Sequence, residues 1–226
     1  MAECIDCRNL SKRYPADGKK VAAVEGVNLR VGQGDFVVIL GHSGSGKTTL
    51  LSLIGGLTAP DSGEVVVDGV ENWHQSDNAL SVMRNRKIGF IFQFASLIPS
   101  LTVLENVLLP LAFGEGDKAT REKATEMLAQ VGLSDKANAF PAQLSGGQQR
   151  RVAIARAFIN NPEVILADEP TGDLDEETEQ EILALFRKYN AQGTTFLVVT
   201  HNNSLAATQD RPRVFTMRQG VLEEAA

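Results

Sequence analysis

The octet GHSGSGKT, Gly41 to Thr48, sits between the apolar run DFVVIL and the helical pattern TLLSLIGGL. It matches G-x-x-x-x-G-K-[ST] at every fixed position, through Gly41, Gly46, Lys47 and Thr48. Such a loop demands a buried strand before it and a helix after it, so it selects an α/β fold with a mostly parallel sheet. Glycines let successive backbone amides turn inward around phosphate groups. Lys47 reaches the β- and γ-phosphates, and Thr48 offers a hydroxyl to magnesium. The intervening His42, Ser43, Gly44 and Ser45, with Thr49 just beyond, belong to the same cradle at a helix N-terminus.

The rest of the chain reads as a frame for this loop. CIDCRNLSKRY and VAAVEGVNLRV predict two antiparallel strands separated by the PADGKK turn. APDSGEVVVDG predicts a short edge strand, and KIGFIFQ a strand that runs into a loop. EVILADE and TTFLVVTH are short continuous apolar runs of the kind found in buried parallel strands. Asp175 predicts an N-cap for EETEQEILALFRKY, whose first turn is acidic. Between these runs, Ser96 to Phe140 predicts mostly helices and loops. The expected organisation is one domain over 1–226. Residues of about 1–92 and 162–226 form the core with an antiparallel β subdomain, and about 93–161 form an inserted helical subdomain.

Side chains at strand ends supply the remaining chemistry. VILADE delivers Asp168 and Glu169 to the C-terminal end of a strand, where ligand crevices open. Asp168 is expected to hold magnesium and Glu169 to polarise the attacking water beside the γ-phosphate. Gln93 leaves a strand as a neutral amide able to bond magnesium or water. His201 ends TTFLVVTH, where an imidazole can clamp the γ-phosphate.

LSGGQ, Leu144 to Gln148, opens another helical pattern. Ser145 and Gln148 form S-x-x-Q, a capping box. Gly146 and Gly147 are not needed for a cap, and each weakens a helix by up to about 1 kcal/mol relative to alanine. They fit a place where a ligand approaches the backbone, so capping and phosphate binding are both expected.

Composition narrows the partners. A net charge of −6 argues against nucleic acid as the main ligand. Two cysteines, Cys4 and Cys7, indicate no disulfide framework. Zinc asks for four ligands and no second pair exists, so CIDC reads as part of a half-buried strand. The N-terminal segment lacks the apolar core of a signal peptide, and no run is long enough to span a bilayer. The expectation is a cytoplasmic protein whose membrane role runs through a separate subunit.

GHSGSGKT, Gln93, LSGGQ, VILADE, TGDLD and His201, in this order and spacing, resemble the ATP-binding-cassette (ABC) ATPases over nearly the whole chain. The resemblance implies ATP and magnesium as cofactors, Gln93 as the Q-loop, Glu169 as catalytic base and His201 as the switch histidine. It also implies adenine stacking by Tyr14, whose alternative is a plain strand aromatic. The runs around IFQFASLIPSLTVLENVLLPL are similar to the lipoprotein-releasing and macrolide- or peptide-exporting group, which also includes a cell-division pair. Three positions depart from the pattern: Asp173 in place of a frequent asparagine, Asn202 in place of a frequent aspartate, and Arg150 in place of a common glutamine.

The resemblance further implies a head-to-tail homodimer burying two ATP molecules. Leu144, Ser145, Gly146, Gly147 and Gln148 act in trans, and Asp173, Leu174 and Asp175 lie at the dimer contact. A permease-like membrane subunit is expected to dock near Gln93 to Val103, although Phe94, Leu97, Ile98, Leu101 and Val103 fit a groove or a core equally well. The implied role is that of an ATPase peripheral to the cytoplasmic face of the inner membrane, powering a transporter or extractor. A cell-division regulator and a soluble non-transport ATPase are the alternatives.

Overall fold

The computed structural model describes residues 3–16, 18–113, 120–202, 204–207 and 212–225; Asp17 of the PADGKK turn lies outside them. The chain opens with two long strands, β1 (Glu3–Ala16) and β2 (Lys19–Gly32). Then come β3 (Phe36–Leu40), α1 (Lys47–Ile54), β4 (Ser62–Val67), β5 (Val70–Glu71), α2 (Asp77–Lys87) and β6 (Ile88–Ile91). A helical stretch contains α3 (Val103–Ala112), α4 (Thr120–Gln130) and α5 (Gly146–Phe158). The chain returns through β7 (Val164–Asp168), α6 (Glu176–Ala191), β8 (Thr195–Thr200), α7 (Ser204–Ala207), β9 (Arg213–Arg218) and β10 (Val221–Glu224).

Two sheets result. One is antiparallel, in the order β2-β1-β4-β5. The other runs β10-β9-β3-β8-β7-β6 and is parallel except for β9 with β10. β4 is therefore an inner strand rather than the edge predicted from its turns, because the two-residue β5 caps its outer side. The parallel sheet explains the continuous apolar runs. Phe36, Val38, Ile165, Ala167, Phe196 and Val198 face one core, and Val37, Ile39, Leu166, Leu197 and Val199 face another. Strand period two thus divides each run between two buried faces.

The first core joins the sheet to α5, α6 and the helical stretch, and Phe158 lies at its centre. Its ring packs 4.4 Å from Tyr189, 6.0 Å from Phe186 and 6.2 Å from Phe196, centroid to centroid. The second core joins the sheet to α1 and the antiparallel sheet. Cys4 and Cys7 are free, buried thiols within it, on a strand that also carries exposed residues such as Arg8 and Asn9. Burial pushes the Cys7 thiol up to about 12.

α2, β5, β9 and β10 were not legible in the sequence. α2 buries only Leu80 and Met83, too few to give a helical stripe against its polar remainder.

Candidate functional site

The C-terminal ends of β3, β7 and β8 open onto one cavity of about 770 Å³. Its floor is the loop from Leu40 to α1. Gly46 adopts φ +107°, and a Cβ there would fall 1.9 Å from the Ala23 carbonyl oxygen, so only glycine fits. A Cβ on Gly41 would meet the Met217 carbonyl at 2.6 Å. The motif's two outer glycines are thus fixed by close backbone approach. Lys47 is buried and donates to the carbonyl oxygens of Gly41 at 2.7 Å and His42 at 3.1 Å. The N-terminus of α1 has no side-chain cap and no acid in its first turn, which leaves its orphan amides facing the loop. The buried Ser45 hydroxyl lacks a hydrogen-bond partner. Orphan donors in a cationic loop are the requirements of a phosphate site.

β7 places Asp168 at the same opening. Thr48 Oγ1 donates to Asp168 Oδ2 at 2.5 Å. Burial raises the Asp168 carboxyl above the ordinary carboxylate range, against opposing contributions from Thr48, Lys47 and Arg150. Glu169 follows in the left-handed region at φ +47°, which turns its side chain out of the strand direction. Thr200 Oγ1 donates to Glu169 Oε2 at 2.7 Å, and the His201 amide donates to Oε1 at 3.0 Å. His201 Nδ1 also lies 2.8 Å from Oε1. A carboxylate only accepts, so Nδ1 carries the proton in this contact.

The predicted residues divide cleanly around this cavity. The loop from His42 through Thr49 lines it, as do Gln93, Asp168, Glu169, Asp173 and His201. Tyr14 does not; it is exposed, with Lys12 Nζ 5.7 Å from its ring centroid. Leu144, Ser145, Gly146, Gly147, Gln148, Leu174 and Asp175 also stand outside the lining. The Leu144 side chain is buried in the first core, its amide donates to the Pro141 carbonyl at 3.1 Å, and its carbonyl accepts from Gln149 Nε2 at 3.4 Å. Asp175 caps α6, accepting from the Thr178 amide at 2.9 Å and hydroxyl at 2.8 Å. Those bonds lower the Asp175 carboxyl below its ordinary value.

The Ser145–Gln148 capping box forms as predicted, with bonds of 3.2 Å and 3.0 Å. The two glycines differ. A Cβ on Gly147 would lie 3.3 Å from the Asp173 carbonyl oxygen, so this glycine serves close packing within the chain. A Cβ on Gly146 would meet nothing within 4 Å. Only Gly146 exceeds what the chain itself requires.

Sequence reasoning missed Ala23, Phe94, Gly172 and Arg150 in the cavity wall, and Thr200 behind Glu169. A signal existed for Arg150: it stands one helical turn after Gly146 on α5. The segment Phe94–Val103 resolves into both of its readings. Val103 is core and Leu97 packs against the core, whereas Phe94 and Ile98 are exposed. Ile98 joins Phe90, Phe92, Val82 and Phe113 in an apolar groove of about 690 Å³ between α2 and α3.

The family pattern of the ABC transporter ATPases matches residues 24–172. An uncharacterized ABC transporter ATP-binding protein of Thermotoga maritima is 46% identical over 99% of this chain and 95% of its own length. The macrolide export ATP-binding/permease protein MacB of Syntrophobacter fumaroxidans is 43% identical over 98% of this chain, which spans 31% of that larger protein. The solved dimeric structure of the ATP-binding cassette MJ0796 in a post-hydrolysis state, bound to ADP and Pi, has a TM-score of 0.91 at 43% identity. It aligns over 97% of this chain and 98% of that one. A phosphate-binding loop, an acidic strand end and this likeness agree: the chain belongs to the ABC transporter family, as one of its ATP-hydrolysing cassettes.

Proposed function

We propose that this chain is the ATPase subunit of a lipoprotein-releasing or macrolide- or peptide-exporting machine, working as a homodimer that sandwiches two ATP molecules. One observation carries the dimer: Ser145 and Gly146 lie outside the cavity of their own chain, and Gly146 faces open space. A head-to-tail pair brings that loop to the phosphates bound over Lys47 of the partner. The dimeric structures of MJ0796 support the arrangement.

In this reading Lys47 and the amides of residues 42–49 hold the phosphates, and Tyr14 stacks on adenine. Thr48, Asp168 and Gln93 are the magnesium residues. The converging hydroxyl and carboxylate oxygens of Thr48 and Asp168 fit a hard cation that keeps water and phosphate as its other ligands. Bound there, magnesium neutralises charge on the phosphates. Glu169, aimed by Thr200 and His201, takes the proton of the attacking water. His201 steadies the γ-phosphate end. Leu144, Ser145, Gly146, Gly147 and Gln148 complete the site in trans, and Asp173, Leu174 and Asp175 lie at the dimer contact. Because the partner's loop binds ATP better than ADP, hydrolysis shifts closed toward open.

The groove bordered by Phe92, Ile98 and Phe113 is where an integral membrane subunit docks, through a short apolar helix. It lies against the loop that carries Gln93, so a push there reaches the cavity. The permease fused to the MacB relative supports such a partner. No described helix is long and apolar enough to cross a membrane. In this reading the chain sits on the cytoplasmic face beneath that subunit.

The test is the mass of Glu169→Gln with and without ATP, by light scattering. A dimer with ATP and a monomer with ADP are expected, and Ser145→Arg in that background abolishes the dimer while ATP still binds. An ATP-independent monomer of Glu169→Gln would end the sandwich reading. Co-purification from detergent with a membrane subunit that has an extracytoplasmic domain tests the machine, and a division-type partner would redirect it.

A further inference from the structure

Two departures from the family pattern, Arg150 and Asp173, touch each other. Arg150 Nη2 lies 3.6 Å from Asp173 Oδ2. Arg150 is almost fully buried, whereas the Asp173 side chain is exposed. Arg150 Nη1 also donates to the Phe92 carbonyl oxygen at 2.7 Å, one residue before Gln93. The guanidinium thus joins the two loops that flank the phosphate end of the cavity.

We propose that Arg150 is a positioning residue for ATP hydrolysis: α5, the helix that offers its N-terminus outward, carries Arg150 into its own chain's nucleotide cavity and ties the Gln93 loop to the Asp173 loop there. The inference deepens the ATPase reading and rests on it.

On the Gln93 side, α5 grips twice. Arg156, farther along the helix, donates to the carbonyl oxygens of Ala95 at 2.8 Å and Ser96 at 2.9 Å. Gln93 is therefore bracketed by two arginines of one rigid helix and cannot drift independently of it. On the other side, the short run from Glu169 to Asp173 is a tight unit. The Gly172 amide donates to the Glu169 carbonyl at 3.1 Å, and both Glu169 and Asp173 occupy the left-handed region. A Cβ on Gly172 would lie 3.4 Å from the Glu169 carbonyl oxygen and 3.9 Å from Arg150 Nη2. Moving Asp173 therefore moves the backbone that aims Glu169.

The pair is not there for stability. Half of it is exposed, and such ion pairs contribute little. Its leverage is geometric: arginine's planar fork donates to the Phe92 carbonyl through one nitrogen while the other faces the Asp173 carboxylate, whereas lysine is a single point charge. Arg150 acts through Gln93 and through the Glu169–Asp173 backbone, and the phosphates themselves fall to Lys47 and the loop amides.

The test compares steady-state ATP hydrolysis by the full chain with Arg150→Gln, Arg150→Lys, Asp173→Asn and the double variant Arg150→Gln/Asp173→Asn. Arg150→Gln is expected to lower kcat about tenfold, the cost of a lost charge-assisted contact, with KM for ATP within about twofold. Arg150→Lys recovers part of that loss. Asp173→Asn lowers kcat at unchanged KM, and the double variant is no worse than its poorer parent, because the two act as a unit. An unchanged kcat in Asp173→Asn overturns the proposal, and this exposed change decides the matter even if Arg150→Gln fails to fold. A rise in KM equal to the fall in kcat would make Arg150 a phosphate ligand instead, and losses that multiply would make the two residues independent. A parent chain that does not hydrolyse ATP would sink the ATPase reading, an outcome distinct from all of these.

Discussion

Thr48 Oγ1 and Asp168 Oδ2 meet at 2.5 Å although 120 residues separate them in the chain. The hydroxyl comes from the first turn of α1 and the carboxylate from the last residue of β7. Strand β8 lies between β3 and β7, and its Thr200 reaches the neighbouring Glu169. The chemistry is therefore assembled from the ends of three adjacent parallel strands, as expected where such a sheet binds ligand.

Asp168 makes the nucleotide-free chain sensitive to pH. Burial raises its carboxyl, so its ionised form is the costly one. A group with a raised folded pKa contributes stability below its unfolded value and loses it as pH rises through the folded value. Asp168→Asn removes that cost and is expected to raise the melting temperature by a few degrees at pH 8. The gain shrinks as pH falls toward the ordinary carboxylate value. Melting curves across this range check it, and a gain that does not vary with pH would refute the cause.

Thr200→Val removes the donor to Glu169 Oε2 and keeps the side-chain shape. Glu169 is then held only from His201. A fall in kcat of about tenfold at unchanged KM for ATP is expected, which corresponds to about 1.4 kcal/mol and lies near the low end for a bond made to a charged group. Steady-state kinetics would expose the error if KM rose instead.

Asn106 is a buried clasp for the segment behind the groove. It accepts from the Ile98 amide at 2.8 Å and donates to the carbonyls of Ile98, Leu101 and Thr102 at 3.0–3.1 Å. Asn106→Leu, close in shape, removes the partner of the Ile98 amide and the Leu101 carbonyl at a cost of about 1–3 kcal/mol, while the Ile98 and Thr102 carbonyls keep the Leu101 and Asn106 amides. Thermal melting should show the drop. Basal ATPase should survive while stimulation by a membrane subunit is lost, and intact stimulation would separate the clasp from docking.

Gly146→Ala separates folding from assembly. A Cβ at that position meets nothing, and alanine in a helix is favoured over glycine by up to about 1 kcal/mol. The variant should melt no lower than the parent and bind ATP as a monomer, yet dimerise and hydrolyse poorly. Unimpaired ATP-driven dimers in light scattering would show that nothing approaches that face.

The residues that announced themselves did so through local necessity. GHSGSGKT is legible because a loop that wraps phosphate needs glycine at set places, and the structure gives the cause in the closeness of Ala23 and Met217 to Gly46 and Gly41. DFVVIL, VILAD and TTFLVVT are legible because a sheet buried on both faces tolerates no polar alternation. Asp175 and Ser145 are legible because a cap is satisfied within one turn. Other features depend on distant partners. Gly147 reads in the sequence as a ligand contact, and its packing against Asp173 appears only in the fold. Arg150 reads in the sequence only as a departure from a common glutamine, and the fold sets it between Phe92 and Asp173. The Phe94–Val103 segment, even in spacing, divides into core and groove only once α2 and α3 flank it. Local backbone geometry and strand burial are written residue by residue, whereas which side chains share one cavity is decided by long-range packing that no short motif encodes.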